Sequence, residues 1–145
     1  FAWDVGAPAP PAVITPEGIL FIYNSKNKWC DYGRNGKCER GENDPTIPPG
    51  TYSAGQVLLS LDDPTQVVHR TYQSFFKPEM QYEKTGQVAN VCFLEGLAYY
   101  RGEWLLYYGT ADSKIAVAKW PDPTANARLN RNQVHSGLEA LSEET

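Results

Sequence analysis

The sequence predicts an all-β fold in which one module of antiparallel strands occurs twice. Two tight turns, Pro-Glu-Gly at 16–18 and Arg-Gly-Glu at 101–103, each join two runs of β-favouring residues, as in a β-hairpin. The sequence around the first turn also resembles the sequence around the second. Together these observations indicate a repeated strand unit.

The repeat is visible at two offsets. A shift of 85 residues places Leu-Phe-Ile-Tyr of 20–23 on Leu-Leu-Tyr-Tyr of 105–108. A shift of 59 residues places LDDPT of 61–65 on WPDPT of 120–124. The second offset is shorter because the first unit carries the segment 25–50, which the second unit lacks. Several antiparallel strands recurring at this spacing are typical of the blades of a β-propeller.

These boundaries predict the domain organisation. We expect residues 1–124 to form about two to three blades, with repeats around 11–65 and 91–124 and an inserted loop at 25–50. Such a piece does not close a ring, so upstream blades or another copy must cover its sheet edges. Residues 125–145 lose the β pattern and are interpreted as a C-terminal segment with a short helix and a tail. Chance similarity between two hairpins of a β-sandwich is the alternative.

Composition is that of a globular domain and argues against two classes of partner. The chain has 145 residues, of which 41% are hydrophobic and 21% charged. A net charge of −4 without a Lys/Arg run argues against nucleic acid. Short apolar runs and the lack of a signal peptide argue against a membrane and leave the compartment open between cytoplasm and periplasm or exterior. The missing initiator Met indicates that the chain was cut from something longer.

Cysteine and histidine content predicts neither a metal site nor a cofactor. The three Cys match no zinc or redox spacing, and the two His lie far apart. Two alternatives are open for the cysteines. They are three free thiols in a reducing compartment, or a Cys30–Cys38 disulfide that cross-links the inserted loop.

One carboxylate, Glu95, interrupts the apolar and aromatic run of residues 93–118. A buried, unpaired carboxylate is costly, so this position needs a partner such as a Tyr hydroxyl or an Arg, or else a chemical role. At the offset of 85 the matching residue is Pro10, so Glu95 is not part of the shared strand framework. This difference favours a role in a site.

Strand geometry predicts where Glu95 lies. Strict alternation over 91–100 places Glu95 on the same face as Leu97 and on the face opposite Leu94. Gly96 follows and leaves room for a ligand or another backbone to approach.

Other polar residues lie where predicted strands end. Asp112 is on the loop between two predicted strands, and Asn24, Lys26 and Asn27 occupy the equivalent place in the first unit. Turn capping is the alternative role for Asp112. Aromatic residues make 12% of the chain, and rings with polar tips suit sugars, although they also fill β cores.

Four ordered blocks resemble the C-terminal part of glycoside hydrolase family 130: GAPAPPAVITPEGILFIYN, TYSAGQVLLSLDDPTQVVHR, FFKPEMQYEKTGQ and FLEGLAYYRGEWLLYYGTADSKIAVA. That family comprises mannoside phosphorylases and β-mannosidases built on a five-bladed β-propeller. The resemblance covers nearly all of residues 6–119 and implies an enzyme that acts on β-mannosides, with an oligosaccharide as its substrate.

Departures from the phosphorylase pattern imply hydrolysis. Phosphorylases carry a Lys and often a His that help to hold phosphate, where this chain has Ile14 and Asn24. Where phosphorylases tend to have a small residue, this chain has Glu95. The resemblance therefore implies inverting hydrolysis with Glu95 as one of two catalytic carboxyl groups, the second lying upstream of residue 1.

The resemblance also implies a set of substrate-binding residues. Their side chains are expected to bind sugar hydroxyls or to line the pocket, and they are Asp112, Tyr108, Asn24, Lys26 and Asn27. Phosphorolysis is the first alternative to hydrolysis, and a non-catalytic carbohydrate-binding or scaffold fragment is the second.

Overall fold

A computed structural model describes residues 4–28 and 43–121, which form two antiparallel β-sheets and one short helix. The elements in chain order are β1 (Asp4–Pro8), β2 (Val13–Thr15), β3 (Gly18–Lys26), β4 (Tyr52–Leu59), β5 (Val67–Arg70), α1 (Gln81–Lys84), β6 (Cys92–Tyr100), β7 (Glu103–Thr110) and β8 (Lys114–Pro121). The predicted all-β fold is confirmed. The division into blades stays a prediction, and residues 125–145, Cys30 and Cys38 lie outside the described residues.

The first sheet has the order β1-β3-β4-β5, and β2 pairs with the first half of β3 while β1 pairs with its second half. The β3–β4 ladder runs from Ile19↔Leu59 to Lys26↔Tyr52. The ring of Tyr23 lies across Gly55, where an added Cβ would come within 2.3 Å of the ring.

The second sheet has the order β6-β7-β8. Its first turn holds Arg101 and Gly102 at φ values of 51° and 82°, the left-handed geometry of a two-residue hairpin whose twist suits the flanking strands. Both hairpins predicted from the sequence are present. They share one register, because Thr15↔Gly18 in the first sheet corresponds to Tyr100↔Glu103 at the offset of 85.

The register of the next strand pair differs between the sheets. In the first sheet Ile19 pairs with Leu59, and the offsets of 85 and 59 match these residues to Trp104 and Ala118. Trp104 pairs instead with Trp120, two residues further along β8. A slip of two residues keeps each side chain on its original face, so the buried pattern survives the change.

The core lies between the two sheets. Its buried members come from β3 and β4 on one side and from β6 and β7 on the other, namely Ile22, Ala54, Cys92, Leu94, Leu106 and Tyr108. A parallel bridge, Tyr52↔Val91, also joins the sheets at one end. The ends of β3 and β6 that carry the predicted site residues are therefore held side by side.

The alternation predicted for residues 91–100 is wrong at one point. A β-bulge separates Leu94↔Tyr108 from Gly96↔Tyr107, so Glu95 is an extra residue with no partner on β7. Because β6 has one extra residue at the bulge, the alternation of its side chains between the two faces of the sheet shifts by one residue after that point. Leu97 consequently packs against the same core as Leu94 instead of facing away from it.

The one helix in the described ranges is α1, with four residues. Among the residues that the structure describes, no helix has the length and apolarity needed to cross a bilayer.

Candidate active site

Glu95 projects from the bulge in β6 and is exposed. It makes no hydrogen bond or ion pair with the described residues, which distinguishes it from a structural carboxylate. The sequence analysis expected a partner or a role for a buried Glu95. The partner is absent among these residues, and exposure removes the cost that made one necessary. The carboxylate is therefore available to a ligand.

The buried carboxylate of this region is Glu83, which the sequence analysis did not identify. Glu83 is 3% exposed and lies in α1. Its Oε2 accepts hydrogen bonds from the backbone N–H groups of Glu79 and Met80 at 2.7 and 2.8 Å. Its Oε1 accepts the hydroxyl of Tyr108 at 2.7 Å. Both oxygens are thus occupied, and Glu83 holds α1 against β7.

Tyr108 lines a cavity of about 350 Å³ beside α1. The cavity wall also includes Phe76, Lys77 and Glu79, and Phe76 meets the Tyr108 ring edge-on at 4.8 Å. Burial and the hydrogen bond to Glu83 raise the pKa of the Tyr108 phenol, so the phenol stays protonated at physiological pH. Tyr108 is the one predicted site residue on this wall, and its hydroxyl proton is already donated to Glu83.

Asn24 is fully buried and connects the two sheets. Its Nδ2 donates to the carbonyl of Leu94 at 2.9 Å, and its Oδ1 accepts the N–H of Leu94 at 2.8 Å. We call these two bonds the Asn24 clamp. They hold the Asn24 side chain against Leu94, the residue immediately before Glu95, and its contact with a sugar stays a prediction.

Asn27 is also buried, and its amide organises the end of the inserted loop. Nδ2 donates to the carbonyls of Asp44, Ile47 and Pro48 at 2.9 to 3.2 Å, and Oδ1 accepts the N–H of Asp44 at 2.8 Å. Both the NH2 group and the oxygen of the Asn27 amide are therefore hydrogen-bonded to the loop, and the side chain anchors it. Lys26 is half-buried, and its ammonium lies 5.5 Å from the centre of the Tyr52 ring.

Asp112 lies in the turn between β7 and β8 and is exposed. Its φ of 50° is left-handed, a conformation that Asp tolerates better than most residues. The turn is held instead by Ser113, whose hydroxyl donates to the Ala111 carbonyl and accepts the N–H of Gln87. The Asp112 carboxylate makes no hydrogen bond with the described residues, so it does not cap the turn.

Two of the predicted site residues belong to the second sheet. Glu95 lies opposite the step between Tyr107 and Tyr108 of β7, and Asp112 lies in the turn after Thr110, the last residue of that strand. Both carboxylates face solvent without protein partners among the described residues. Asn24 and Asn27 are buried, and of these two only Asn24 bonds a residue next to Glu95.

The residues that the structure describes include Cys92 and several possible metal ligands, the side chains of His, Asp and Glu. Cys92 is a free, buried thiol, and burial with the nearby Glu83 and Glu79 charges raises its pKa, which disfavours the reactive thiolate. Within the described ranges, no three His, Cys, Asp or Glu side chains are grouped so as to hold a metal ion.

Comparison with known proteins gives one matching family model. The model is described as β-1,4-mannooligosaccharide phosphorylase and matches residues 4–126. A 1,2-β-oligomannan phosphorylase of Thermoanaerobacter sp. (strain X514) is 42% identical over 67 residues, which are 46% of this chain and 23% of that protein. A β-1,2-mannobiose phosphorylase of Listeria innocua is 42% identical over 66 residues, 45% of this chain and 18% of that protein.

Solved structures match over a larger share of the chain. A glycosyl hydrolase from Bacteroides ovatus has 39% identity and a TM-score of 0.66 over 81% of this chain and 29% of its own. A second structure comes from work reporting that a family of mannoside phosphorylases contains glycoside hydrolases that target β-1,2 mannosidic linkages in Candida mannan. It has 37% identity and a TM-score of 0.66 over 79% of this chain and 29% of its own.

Proposed function

Because this chain belongs to glycoside hydrolase family 130, we propose that a complete protein containing it cleaves β-mannosides by phosphorolysis. Members of the family are glycoside-active enzymes on a five-bladed β-propeller, and this chain supplies part of that ring. The chain spans about a quarter of the length of the first curated relative, 23%, so the activity is proposed for the complete protein.

The observation that carries the proposal is the agreement between the family description and the curated relatives, which are phosphorylases of β-mannosides. In phosphorolysis, a phosphate oxygen forms a bond to the anomeric carbon while the bond to the glycosidic oxygen breaks. That oxygen takes a proton from a carboxylic acid, and one mannose leaves as mannose 1-phosphate. Asp112, exposed in the turn after β7, is proposed to hydrogen-bond the sugar hydroxyls. Lys26 is proposed as a second substrate-binding residue.

Hydrolysis, the function expected from the sequence, is the second candidate. Two features of the chain favour it. Glu95 is exposed without a protein partner among the described residues, so its oxygens are open to hydrogen bonding by a water molecule, as a general base must be. Asn24 stands where the phosphorylase pattern often has a His, and its amide is engaged by Leu94. In this candidate, Glu95 takes a proton from water as water attacks the anomeric carbon from the face opposite the leaving group. The bond to the glycosidic oxygen breaks in the same step, and that oxygen takes a proton from a second carboxylic acid, proposed to lie upstream of residue 1.

Phosphate dependence separates the two candidates. The complete protein is incubated with β-1,2- or β-1,4-linked mannobiose, with phosphate or with sulfate at equal ionic strength. We expect turnover in phosphate alone, with mannose 1-phosphate as product, because a phosphate oxygen must supply the new bond. Free mannose at equal rates in both buffers would reject phosphorolysis in favour of hydrolysis. Absence of turnover in both, with either linkage, would leave the non-catalytic carbohydrate-binding alternative.

A further inference from the structure

We infer that Asn24 is a positioning residue of the active site, because its side chain holds Leu94 and thereby sets the bulge from which Glu95 projects. This inference rests on the role that the hydrolysis candidate proposes for Glu95 in the reaction. It gives Asn24 a task different from contact with the sugar.

The geometry of the Asn24 clamp carries the inference. Its two hydrogen bonds, 2.9 and 2.8 Å long, join residues that are 70 positions apart in the chain. Asn24 and Leu94 are both 0% exposed, so water does not compete for these groups. A buried polar pair in a water-free setting is rigid when it is fully satisfied. Leu94 is the residue directly before Glu95, so the clamp acts one peptide unit from the carboxylate.

An amide matches the two backbone groups of Leu94. Leu94 presents a donor and an acceptor, and within the described ranges β6 is an edge strand of its sheet. The Asn side chain carries a donor and an acceptor in one plane, so it can bond both groups at once. Gln has the same group on a chain one carbon longer, and Asp keeps the acceptor but loses the donor.

The bulge makes such a restraint necessary. An extra residue interrupts the ladder between β6 and β7, so strand pairing alone does not hold Glu95 in place. A slip of one residue in β6 would move the carboxylate by about 3.3 Å and turn it to the other face. By fixing both backbone groups of Leu94, the clamp prevents that slip.

The clamp is not part of the repeated strand framework. At the offset of 85, the residue matching Asn24 is Gly109, which has no side chain. The second sheet therefore makes no equivalent bond from that position. An interaction that one unit has and the other lacks is explained better by what lies beside it, Glu95, than by the needs of the fold.

A double-mutant cycle in the complete protein tests the inference. The variants are Asn24→Leu, Glu95→Gln and the two combined, assayed with β-mannobiose and whichever acceptor supports turnover. Asn24→Leu is expected to lower kcat by about 10²-fold with little change in KM, because a displacement of about 1 Å at the reacting group costs this much. In the Glu95→Gln background the same change is expected to have almost no further effect, since groups that act as a unit are not additive.

Thr71→Val is the matched control. The Thr71 hydroxyl also bonds a backbone N–H and a backbone carbonyl, both of Gln56, at 3.0 and 3.3 Å, and it lies in another part of the first sheet. Its removal is expected to affect melting while leaving kcat of the folded protein unchanged. If Asn24→Leu does not fold, Asn24→Asp replaces it, because it has the same size and retains the acceptor.

Three results would overturn the inference, and they are distinguishable. Additive losses in the cycle would show that Asn24 acts independently of Glu95. An Asn24 variant that melts earlier but keeps wild-type kcat and its pH profile would have a purely structural role. Wild-type turnover by Glu95→Gln would remove the proposed role of Glu95 itself and the inference with it.

Discussion

Two glutamates in this chain show how surroundings, more than residue type, decide what a carboxylate does. Glu83 is buried and accepts three hydrogen bonds, which hold α1 in place. Glu95 has no such donors in the described part of the chain and stays open to solvent. Sequence reasoning identified Glu95 because it interrupts an apolar run. It missed Glu83 because α1 has only four residues and its partner, Tyr108, is 25 positions away.

Removing the Tyr108 hydroxyl tests the role of Glu83. Tyr108→Phe is expected to lower the free energy of unfolding by about 2 kcal/mol, because a buried carboxylate oxygen loses its donor. The measurement is denaturant unfolding of the complete protein. Tyr107→Phe, a neighbouring and 42% exposed tyrosine, is the control and is expected to change stability by less than about 0.5 kcal/mol. Equal effects of the two variants would contradict the structural role assigned to the Glu83–Tyr108 bond.

At the scale of elements, buried polar side chains anchor the loop that begins at residue 43, where the second described range starts. Asp44 is fully buried, and its two oxygens accept bonds from Thr46 and Ser74 at 2.6 to 3.0 Å. Burial alone would raise the pKa of Asp44, but these hydrogen bonds to the charged form outweigh it and lower the pKa below its usual 3.8. The carboxylate thus joins the loop to the segment after β5.

The lowered pKa predicts a dependence of stability on acid. Asp44 contributes stability that is fully present above the pKa of the unfolded chain and is lost as pH falls through the lower folded pKa. Between about pH 5 and pH 2, stability of the wild type is expected to fall more steeply than that of Asp44→Asn. Urea unfolding of the complete protein at stepped pH measures this difference. Parallel curves would contradict the prediction, and Asp62→Asn, which alters an exposed carboxylate, is the control.

Whether strand pairing could be predicted from the sequence depended on the length of the connection between the strands. Both hairpins were predicted from the sequence, and the two-residue turn found in each leaves one register for its strands. The pairing of β7 with β8 differed by two residues from that of β3 with β4. Residues 111–113 make a short turn in one case, whereas a long insertion leaves register to packing in the other. The bulge at Glu95 was missed because periodicity assumes that every residue has a partner.

At the scale of the molecule, two sheets share one core, and in the described ranges each ends in strands without an outer neighbour. The apolar cavity of about 290 Å³ at the end of the core remote from Asp112 includes Trp104 and Trp120, and Trp120 is 64% exposed. Unpaired edges and an exposed tryptophan favour association. We propose that the upstream blades cover them in the complete protein.

This proposal has a direct test. The chain expressed alone is expected to self-associate, and addition of a separately expressed segment carrying the upstream blades is expected to give a soluble one-to-one complex. Size-exclusion chromatography with light scattering measures both. A chain that remains monomeric at high concentration, and that ignores the upstream segment, would contradict the proposal. Lys substitutions at Val67 and Val68, exposed on the edge strand β5, are a control expected to reduce self-association.

The bulge in β6 has a further consequence for how such an enzyme can change. Glu95 occupies a residue that strand pairing does not use, because Leu94 and Gly96 already face consecutive positions on β7. Replacing its side chain leaves the ladder untouched, so the chemistry at this point is free to evolve, or to be redesigned, with little penalty to the scaffold.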